Sequence, residues 1–424
     1  MLLIKNGRVV DPVSRTDAVL DLLIEGERIA RIGEKTSTAG AEILDATGWI
    51  VAPGFIDLHC HLREPGQEIS ETIETGTRAA VRGGFTAVCA MPNTQPVNDN
   101  ASVTRSIVER AAASARARVW PIGAASVGSK GEALAEIGAM REAGIVAVSD
   151  DGRPIAGARL LRQVMEQCRA LDLPVIEHCE DASLFAGGVM REGPRSARLG
   201  LRGIPAESES ICAGRDVEIA ALTGARYHVA HLSARRTLEH VREAKRRGLP
   251  VTCEVTPHHF TLTDEDVTYD ARFKMNPPLG SRDDREALLE GLADGTVDAI
   301  ATDHAPHHPA SKEVEFDRAP FGVIGFETAI GLAVDELFHA KRVTLPRLVE
   351  LFTTGPARVL GLRENRRIAV DALADLTLFS LDYPWTFRAE ESASRSRNSP
   401  FDGRKFRGAP MATVVAGRVV WRRP

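Results

Sequence analysis

Residues 54–66 read GFIDLHCHLREPG: an apolar run that ends in two histidines one residue apart, an arginine and a Pro-Gly pair. The residues leading in, WIVAPGFID (49–57), are apolar and β-branched, and Pro-Gly marks a turn, so the segment predicts a strand ending at or near the histidines. In a strand, residues i and i+2 share a face. His59 and His61 should therefore project together, with Cys60 turned away. Two imidazoles on one face make a poor core and a good metal chelate, although a hydrogen-bonded pair at a strand end is the plainer reading. The pair alone does not separate the two.

Seven further runs share the pattern: GFTAVCAM (84–91), RVWPIGA (118–124), GIVAVSD (144–150), LPVIEH (173–178), RYHVAH (226–231), LPVTCEV (249–255) and VDAIATD (297–303). Between them lie segments such as ARLLRQVMEQCRALD and TLEHVREAKRRG. These carry apolar residues at three- and four-residue spacing and usually close on Gly, as amphipathic helices do. Eight strands alternating with helices predict an α/β fold, a parallel (β/α)8 TIM-type barrel. A doubly wound open sheet gives a similar pattern, and the strand count favours the barrel. The chain ends differ: LLIKNGRVV, DLLIEGERIARIG and ILDATGWIVAP read as strands joined by tight turns, and DLTLFSLD (375–382) and MATVVAGRVVWR (411–422) return to that style. The expectation is a small flanking β-domain built from residues 1–52 and 363–424 around a barrel of residues 53–362. Segment 390–408 is polar and reads as a loop, its basic residues forming a solvated surface rather than a binding patch.

Hydrophobic residues at 43% and charged residues at 26% are ordinary for a soluble globular enzyme, and 424 residues hold one large barrel with an accessory domain. A formal net charge of −5 gives no electrostatic case for nucleic acid. No apolar run reaches membrane-span length and the N-terminus lacks a signal-peptide pattern, so a cytoplasmic location is expected. The six cysteines are scattered with no C-x-x-C pair, which suits buried thiols in a reducing compartment.

In barrels of this kind, active groups sit at the C-terminal ends of the strands. Strand one ends at His59, His61 and Arg63, strand two at Asn93, and strand four at Asp150 and Asp151. Strand five ends at His178, strand six at His231, and strand eight at Asp303, His304, His307 and His308. Imidazole and carboxylate without thiolate suit catalytic zinc, with manganese or cobalt able to substitute. A bound divalent ion brings its water to a pKa of roughly 7, and Asp303 could take that proton and return it to a leaving nitrogen. The reaction class is metal-assisted hydrolysis of an amide or cyclic amide. His258 and His259 in TPHHF read as structural or ligand-orienting groups. His304 should point elsewhere, and His228, His240 and His339 read as structural. Asp150 competes with Asp151 for the ligand position. The long polar segment 305–320 after Asp303 could order over a substrate.

GFIDLHCHLREPG, AMPNTQPVNDN, SDDG, EHCE, HVAHLS, CEVTPHHF, KMNPPLG, ATDHAPH and PFGVIGFET together resemble the class I bacterial dihydroorotases of the amidohydrolase superfamily. The resemblance runs over nearly the whole chain in the same order. It implies the reversible cyclisation of N-carbamoyl-L-aspartate to L-dihydroorotate in pyrimidine biosynthesis, with one or two zinc ions per subunit. It places His59 and His61 on one zinc, His178 and His231 on a second, Asp151 between them, and Asp303 as both ligand and catalytic acid/base. It also assigns His61, Arg63, Asn93, Asn276, His307 and the Phe321-Gly322 backbone to substrate binding. A guanidinium and a carboxamide, Arg63 and Asn93, are apt partners for the substrate carboxylate on chemical grounds too. Asn276 and His307, read alone, could equally be a turn residue and a loop histidine. Homo-oligomers and association with aspartate transcarbamoylase are further family properties. Two alternatives stand beside this reading. Dihydropyrimidinases, hydantoinases and allantoinases share the barrel and the His-x-His start, but many bridge their metals with a carbamylated lysine where this chain reads AVSDDG. A non-catalytic scaffold would be expected to lack part of the ligand set, which this chain keeps.

Overall fold

The computed structural model describes residues 1–34, 36, 40–362 and 367–424. The expected domain change between residues 362 and 363 therefore falls outside the described residues. Each of the eight runs contains a barrel strand: Phe55–Cys60, Phe85–Ala90, Arg118–Gly123, Ala147–Val148, Val175–Glu177, Tyr227–Val229, Val251–Val255 and Ala299–Ile300. They pair in chain order, every neighbour parallel. Cys60 bridges in parallel to His304, and the His61 N–H donates to the His304 carbonyl at 2.9 Å, which brings the last strand back to the first. Asp57 reinforces the seam by accepting from the Thr302 N–H at 2.8 Å and the Thr302 hydroxyl at 2.6 Å. The closure excludes the open doubly wound sheet.

The segments between strands form the outer helices, bounded as their sequences suggest. Thr72 caps Ile73–Arg82 in a reciprocal pair with Thr75, and Ser281 caps Arg282–Asp294 with Asp284. Gly224, at φ 67°, ends the long helix Glu207–Thr223 in the left-handed conformation that a Cβ disfavours. Inside the barrel, Ile56, Leu58, Ala87, Cys89, Ile122, Ala147, Ile176, Ala230 and Ala299 form one apolar cluster with Ala357, Val359 and Leu360 near the end of helix Thr354–Leu360. These side chains leave the polar chemistry to the strand ends.

The chain termini share one sheet in the order Arg418–Arg422, Ala409–Val415, Leu376–Ser380, Ile50–Pro53, Leu2–Asp11, Thr16–Glu25, Arg28–Gly33, with Glu42–Asp45 beside Leu2–Asp11. Its core mixes Leu2, Ile4, Leu22 and Val51 from one terminus with Leu376, Leu378, Ala412 and Val414 from the other. Neither half could bury these faces alone. Gly54, where sheet meets barrel, has no room for a side chain: a Cβ there would lie 2.2 Å from Thr86 Oγ1.

Two polar segments are anchored more firmly than their composition suggests. Segment 390–408 is mostly irregular and exposes Arg395, Lys405 and Arg407 as expected of a solvated basic surface, but Ser394, Ser396, Asn398 and Ser399 are buried, and Phe401 and Phe406 join the main core. Segment 305–320 is tied down at its middle and end. Lys312 is buried and donates to the carbonyls of Ala271, Lys274 and Pro320 at 3.1, 3.1 and 2.7 Å, and Phe316 packs into a satellite core. No helix among the described residues is long and apolar enough to cross a membrane.

Candidate metal centre

The strand-end residues converge at one mouth of the barrel. His59, His61 and Asp151 place one ligand atom each within 4.8 Å of one another, and Asp151, His178 and His231 do the same. Asp151 is common to both groups. Its Oδ1 lies 3.3 Å from His59 Nε2, 3.5 Å from His231 Nε2 and 3.9 Å from His178 Nδ1, and its Oδ2 lies 3.6 Å from His61 Nε2. Asp303 Oδ1 approaches His61 Nε2 at 3.2 Å and His59 Nε2 at 3.6 Å. All six side chains are buried.

A divalent cation fits this donor set. His59 Nε2 and Asp151 Oδ1 are buried atoms without a hydrogen-bond partner, and two imidazole nitrogens, His178 Nδ1 and His231 Nε2, face each other at 3.0 Å. Unpaired buried polar atoms are costly unless something binds them. The field is also right for a cation. Burial pushes His59 towards its neutral form, yet Asp151, Glu254 and Asp303 reverse this and raise its pKa well above the ordinary value. Burial alone would raise Asp151, but His59 and the other surrounding histidines hold it well below the usual carboxylate range. Asp303 is held low in the same way, against its burial, by His61 and His59.

Three of the histidines are oriented from behind. Glu254, fully buried on the seventh strand, reaches His59 Nδ1 at 3.4 Å with one oxygen and His228 Nε2 at 3.2 Å with the other. Although burial opposes ionisation, His228 and His59 bring the Glu254 pKa down to about 2. Glu180 lies 3.6 Å from His178 Nε2, and Asn93 Oδ1 accepts from His61 Nδ1 at 2.8 Å. Such partners fix ring orientation and tautomer, leaving the other nitrogen for an ion. Glu254 and Glu180 were not singled out in the sequence. The signal was present, because a lone acid inside an apolar strand (CEV) and the second acid of EHCE both need a buried partner. His228, expected to be merely structural, holds Glu254.

The remaining candidates divide. Asp150 turns away from the mouth and accepts from the Ala125 and Ser126 N–H groups at 2.8 and 3.1 Å, so Asp151 is the inward carboxylate. Arg63, with φ 61°, donates from Nε to the Pro306 carbonyl at 3.1 Å; burial lowers its pKa only to about 10, so it stays charged near neutral pH. His307 sits 3.4 Å from the Arg63 guanidinium and donates from Nε2 to the Phe321 carbonyl at 2.6 Å. Burial, then Arg63, push its pKa down to about 3 and keep it neutral. Asn276 is placed against His178 instead: its Nδ2 contacts His178 Nε2 at 3.2 Å and donates to Glu180 at 2.9 Å. The N–H of Gly322 donates to the Lys274 carbonyl and its carbonyl accepts from Asn398, so this residue's polar groups are already occupied. The Phe321 N–H takes no partner among the described residues. His259 is saturated by Thr256 and the Pro277 carbonyl, whereas His258 Nε2 is buried without a partner. His304 points away, stacking on Phe326 at 4.1 Å and facing Glu71 at 3.4 Å. His308 is exposed. Cys179 lies within a buried group with Cys212, Asp216 and Tyr227, and Tyr227 donates to Asp216 at 3.0 Å.

A closed parallel barrel with a histidine-aspartate centre at its strand ends is the architecture of the amidohydrolases, and a family model described as Amidohydrolase family matches residues 206–421. A model described as Dihydro-orotase-like matches residues 48–237. The chain is 56% identical over 423 residues to a dihydroorotase of Solibacter usitatus, covering 100% of this chain and 98% of that one. A dihydroorotase of Pelotomaculum thermopropionicum is 52% identical over 420 residues, covering 99% and 98%. Among solved structures, the L-hydantoinase (dihydropyrimidinase) of Arthrobacter aurescens superposes with a TM-score of 0.89 at 25% identity, covering 99% of this chain and 96% of that one. The chain is a cyclic amidohydrolase. Within that class it belongs to the dihydroorotase family.

Proposed function

We propose that the chain interconverts N-carbamoyl-L-aspartate and L-dihydroorotate, using zinc held by His59, His61, Asp151, His178, His231 and Asp303. The observation that carries the reading is Arg63, a buried guanidinium beside a neutral His307, at the same barrel mouth as the Asp151 donor set. A cyclic ureide bearing a carboxylate needs both features. A divalent ion supplies Lewis acidity there, polarising a carbonyl and making water acidic enough to attack near neutral pH. Asp303 remains ionised, accepts the proton from the attacking water, and returns it to the ring nitrogen as the C–N bond breaks. In the cyclising direction the same carboxylate takes the proton from the ureido nitrogen. Arg63 binds the substrate carboxylate, with the Asn93 amide and the Phe321 N–H as further donors. Asn276, whose Nδ2 is held against His178 and Glu180, would offer its amide oxygen to the substrate ring.

Asp151 supports this assignment over a hydantoinase reading, because no lysine among the described residues reaches its position. Lys130 is exposed, and Lys274 donates to the Asp317 carbonyl at 3.0 Å. The reading also includes a division at residues 52/53 and 362/363, a cytoplasmic setting supported by six buried free thiols, and a homo-oligomer that associates with aspartate transcarbamoylase, carried over from the family. Co-migration with the transcarbamoylase on a sizing column tests that last point. The reaction is tested by ring opening of L-dihydroorotate after zinc addition, with dihydrouracil, hydantoin and allantoin alongside. Turnover of dihydroorotate alone is expected. Turnover of an uncharged ring instead overturns the substrate, and no turnover of any returns the scaffold reading.

A further inference from the structure

The buried segment that crosses the barrel mouth from the C-terminal part of the chain touches none of the metal-site donors, yet it is attached to the groups that surround Arg63. Asn398 is 4% exposed and uses both ends of its side-chain amide. Its Nδ2 donates to the Ala305 carbonyl at 3.0 Å and to the Gly322 carbonyl at 3.0 Å, and its Oδ1 accepts from the His307 N–H at 3.3 Å. Its backbone carbonyl accepts from the Ile324 N–H at 2.9 Å. The carboxamide thus joins the stretch 305–307 to Gly322, and the backbone carbonyl of the same residue ties in Ile324.

Those stretches carry the wall behind the guanidinium. The Pro306 carbonyl holds Arg63 Nε, and the Phe321 carbonyl holds His307 Nε2 at 2.6 Å. Gly322, at φ 130°, lets the two stretches approach: a Cβ there would stand 2.8 Å from Ala305 Cβ and 3.0 Å from His307 Nε2. Such close backbones keep their spacing only if their polar groups are paired, and Asn398 pairs three of them.

We infer that Asn398 is a positioning residue for substrate-carboxylate recognition, fixing Pro306, His307 and Phe321 around Arg63 so that binding depends on a residue that touches neither substrate nor metal. The inference rests on the carboxylate role of Arg63 proposed above. It separates binding from chemistry, because the hydrogen bonds of Asn398 go to Ala305, His307, Gly322 and Ile324 and to none of Asp151, Asp303 and the four histidines.

The test compares Asn398→Ala, Asn398→Asp and Ser396→Ala. Ser396 is equally buried on the same segment, but its hydroxyl donates to the Ser70 carbonyl at 2.8 Å and not to the wall. Loss of paired buried hydrogen bonds predicts a KM for L-dihydroorotate raised about ten- to a hundredfold in Asn398→Ala, with kcat and bound zinc nearly unchanged. Asn398→Asp should do worse in KM, since a carboxylate would face two carbonyl oxygens. Ser396→Ala should keep the wild-type KM. Calorimetric binding of orotate, a planar analogue with the same carboxylate, should weaken in parallel with KM. Equal KM in Asn398→Ala and wild type overturns the inference, as does a matched KM increase in Ser396→Ala or a loss confined to kcat or zinc. If the wild-type enzyme itself ignores dihydroorotate, the substrate assignment fails instead, and the two failures are distinct.

Discussion

Replacing Glu254 with glutamine removes one oxygen from a fully buried carboxylate that serves two histidines, His59 Nδ1 at 3.4 Å and His228 Nε2 at 3.2 Å. An ionised carboxylate facing both ring nitrogens favours the proton on those atoms, so that His59 Nε2, which lies towards Asp151 and Asp303, is the nitrogen left for an ion. Glutamine must turn its amide N–H2 to one ring. If it faces His59, that ring moves its proton to Nε2, the nitrogen an ion needs. If it faces His228, that ring loses its acceptor and the pair loses its ionic character. Removing a partner of this kind costs about 10–100-fold in metal affinity or activity, equivalent to about 1.4–2.8 kcal/mol. The assay is zinc retained after dialysis against graded chelator, read by atomic spectroscopy, together with kcat/KM at saturating zinc. The expected outcome is weaker zinc retention at unchanged fold, judged by circular dichroism. Wild-type zinc affinity and wild-type kcat/KM in Glu254→Gln would show that His59 needs no orientation from behind.

Other perturbations separate the remaining roles. Arg63→Lys keeps the charge but strands the Pro306 carbonyl and cannot offer a planar fork; losing a charge-assisted hydrogen bond worth about 1.5–3 kcal/mol should raise KM about 10–150-fold, and an unchanged KM refutes the carboxylate role. Asp303→Asn should lower kcat by about 10²–10⁴-fold, the usual reach of acid–base catalysis, and a variant retaining near-native kcat excludes Asp303 as the proton carrier. Burial raises the Asp57 pKa to about 7, from 3.8 in an unfolded chain, so in that window the folded state binds a proton that the unfolded state lacks. Its contribution is present at low pH and is lost as pH rises through 7. Asp57→Asn should therefore flatten the pH dependence of the melting temperature between pH 5 and 8, and an identical slope in both proteins contradicts the assignment.

What the sequence discloses is the part set by strand geometry. His59, His61, His178, His231 and Asp303 follow from asking which polar residue ends each apolar run, because parallel barrels display those positions together. The choice between Asp150 and Asp151 follows from partners, and partners arrive from elsewhere: the N–H groups of Ala125 and Ser126 claim Asp150. The same limit hid the buried serines and Asn398. A polar stretch looks solvated when its composition is all that is known, yet Ser394 and the Arg395 N–H bind Glu71, and Asn398 binds the wall some ninety residues away. Backbone conformation was also out of reach. Arg63, His231 and Asp303 adopt φ of 61°, 30° and 44°, a region that side chains resist, and it is tolerated at sites where the surrounding structure enforces it.

The two adjacent aspartates show how one barrel mouth makes both a frame and a site. Asp150 spends its oxygens on the protein's own N–H and hydroxyl donors, and it thereby anchors the turn from which Asp151 projects. Asp151 faces four histidines and retains an oxygen with no hydrogen-bond partner. Glu180, Glu71 and Asn398 belong with the first kind; His59, His231 and Asp151 belong with the second. A group saturated by the protein can hold its neighbour still, whereas a group left short is available to an ion or substrate. Converting one kind to the other is damaging in opposite ways: saturating Asp151 would close the site, and leaving Asn398 short would loosen it. The chemistry thus depends less on how many acids and histidines gather at the strand ends than on which of them the rest of the chain leaves unpaired.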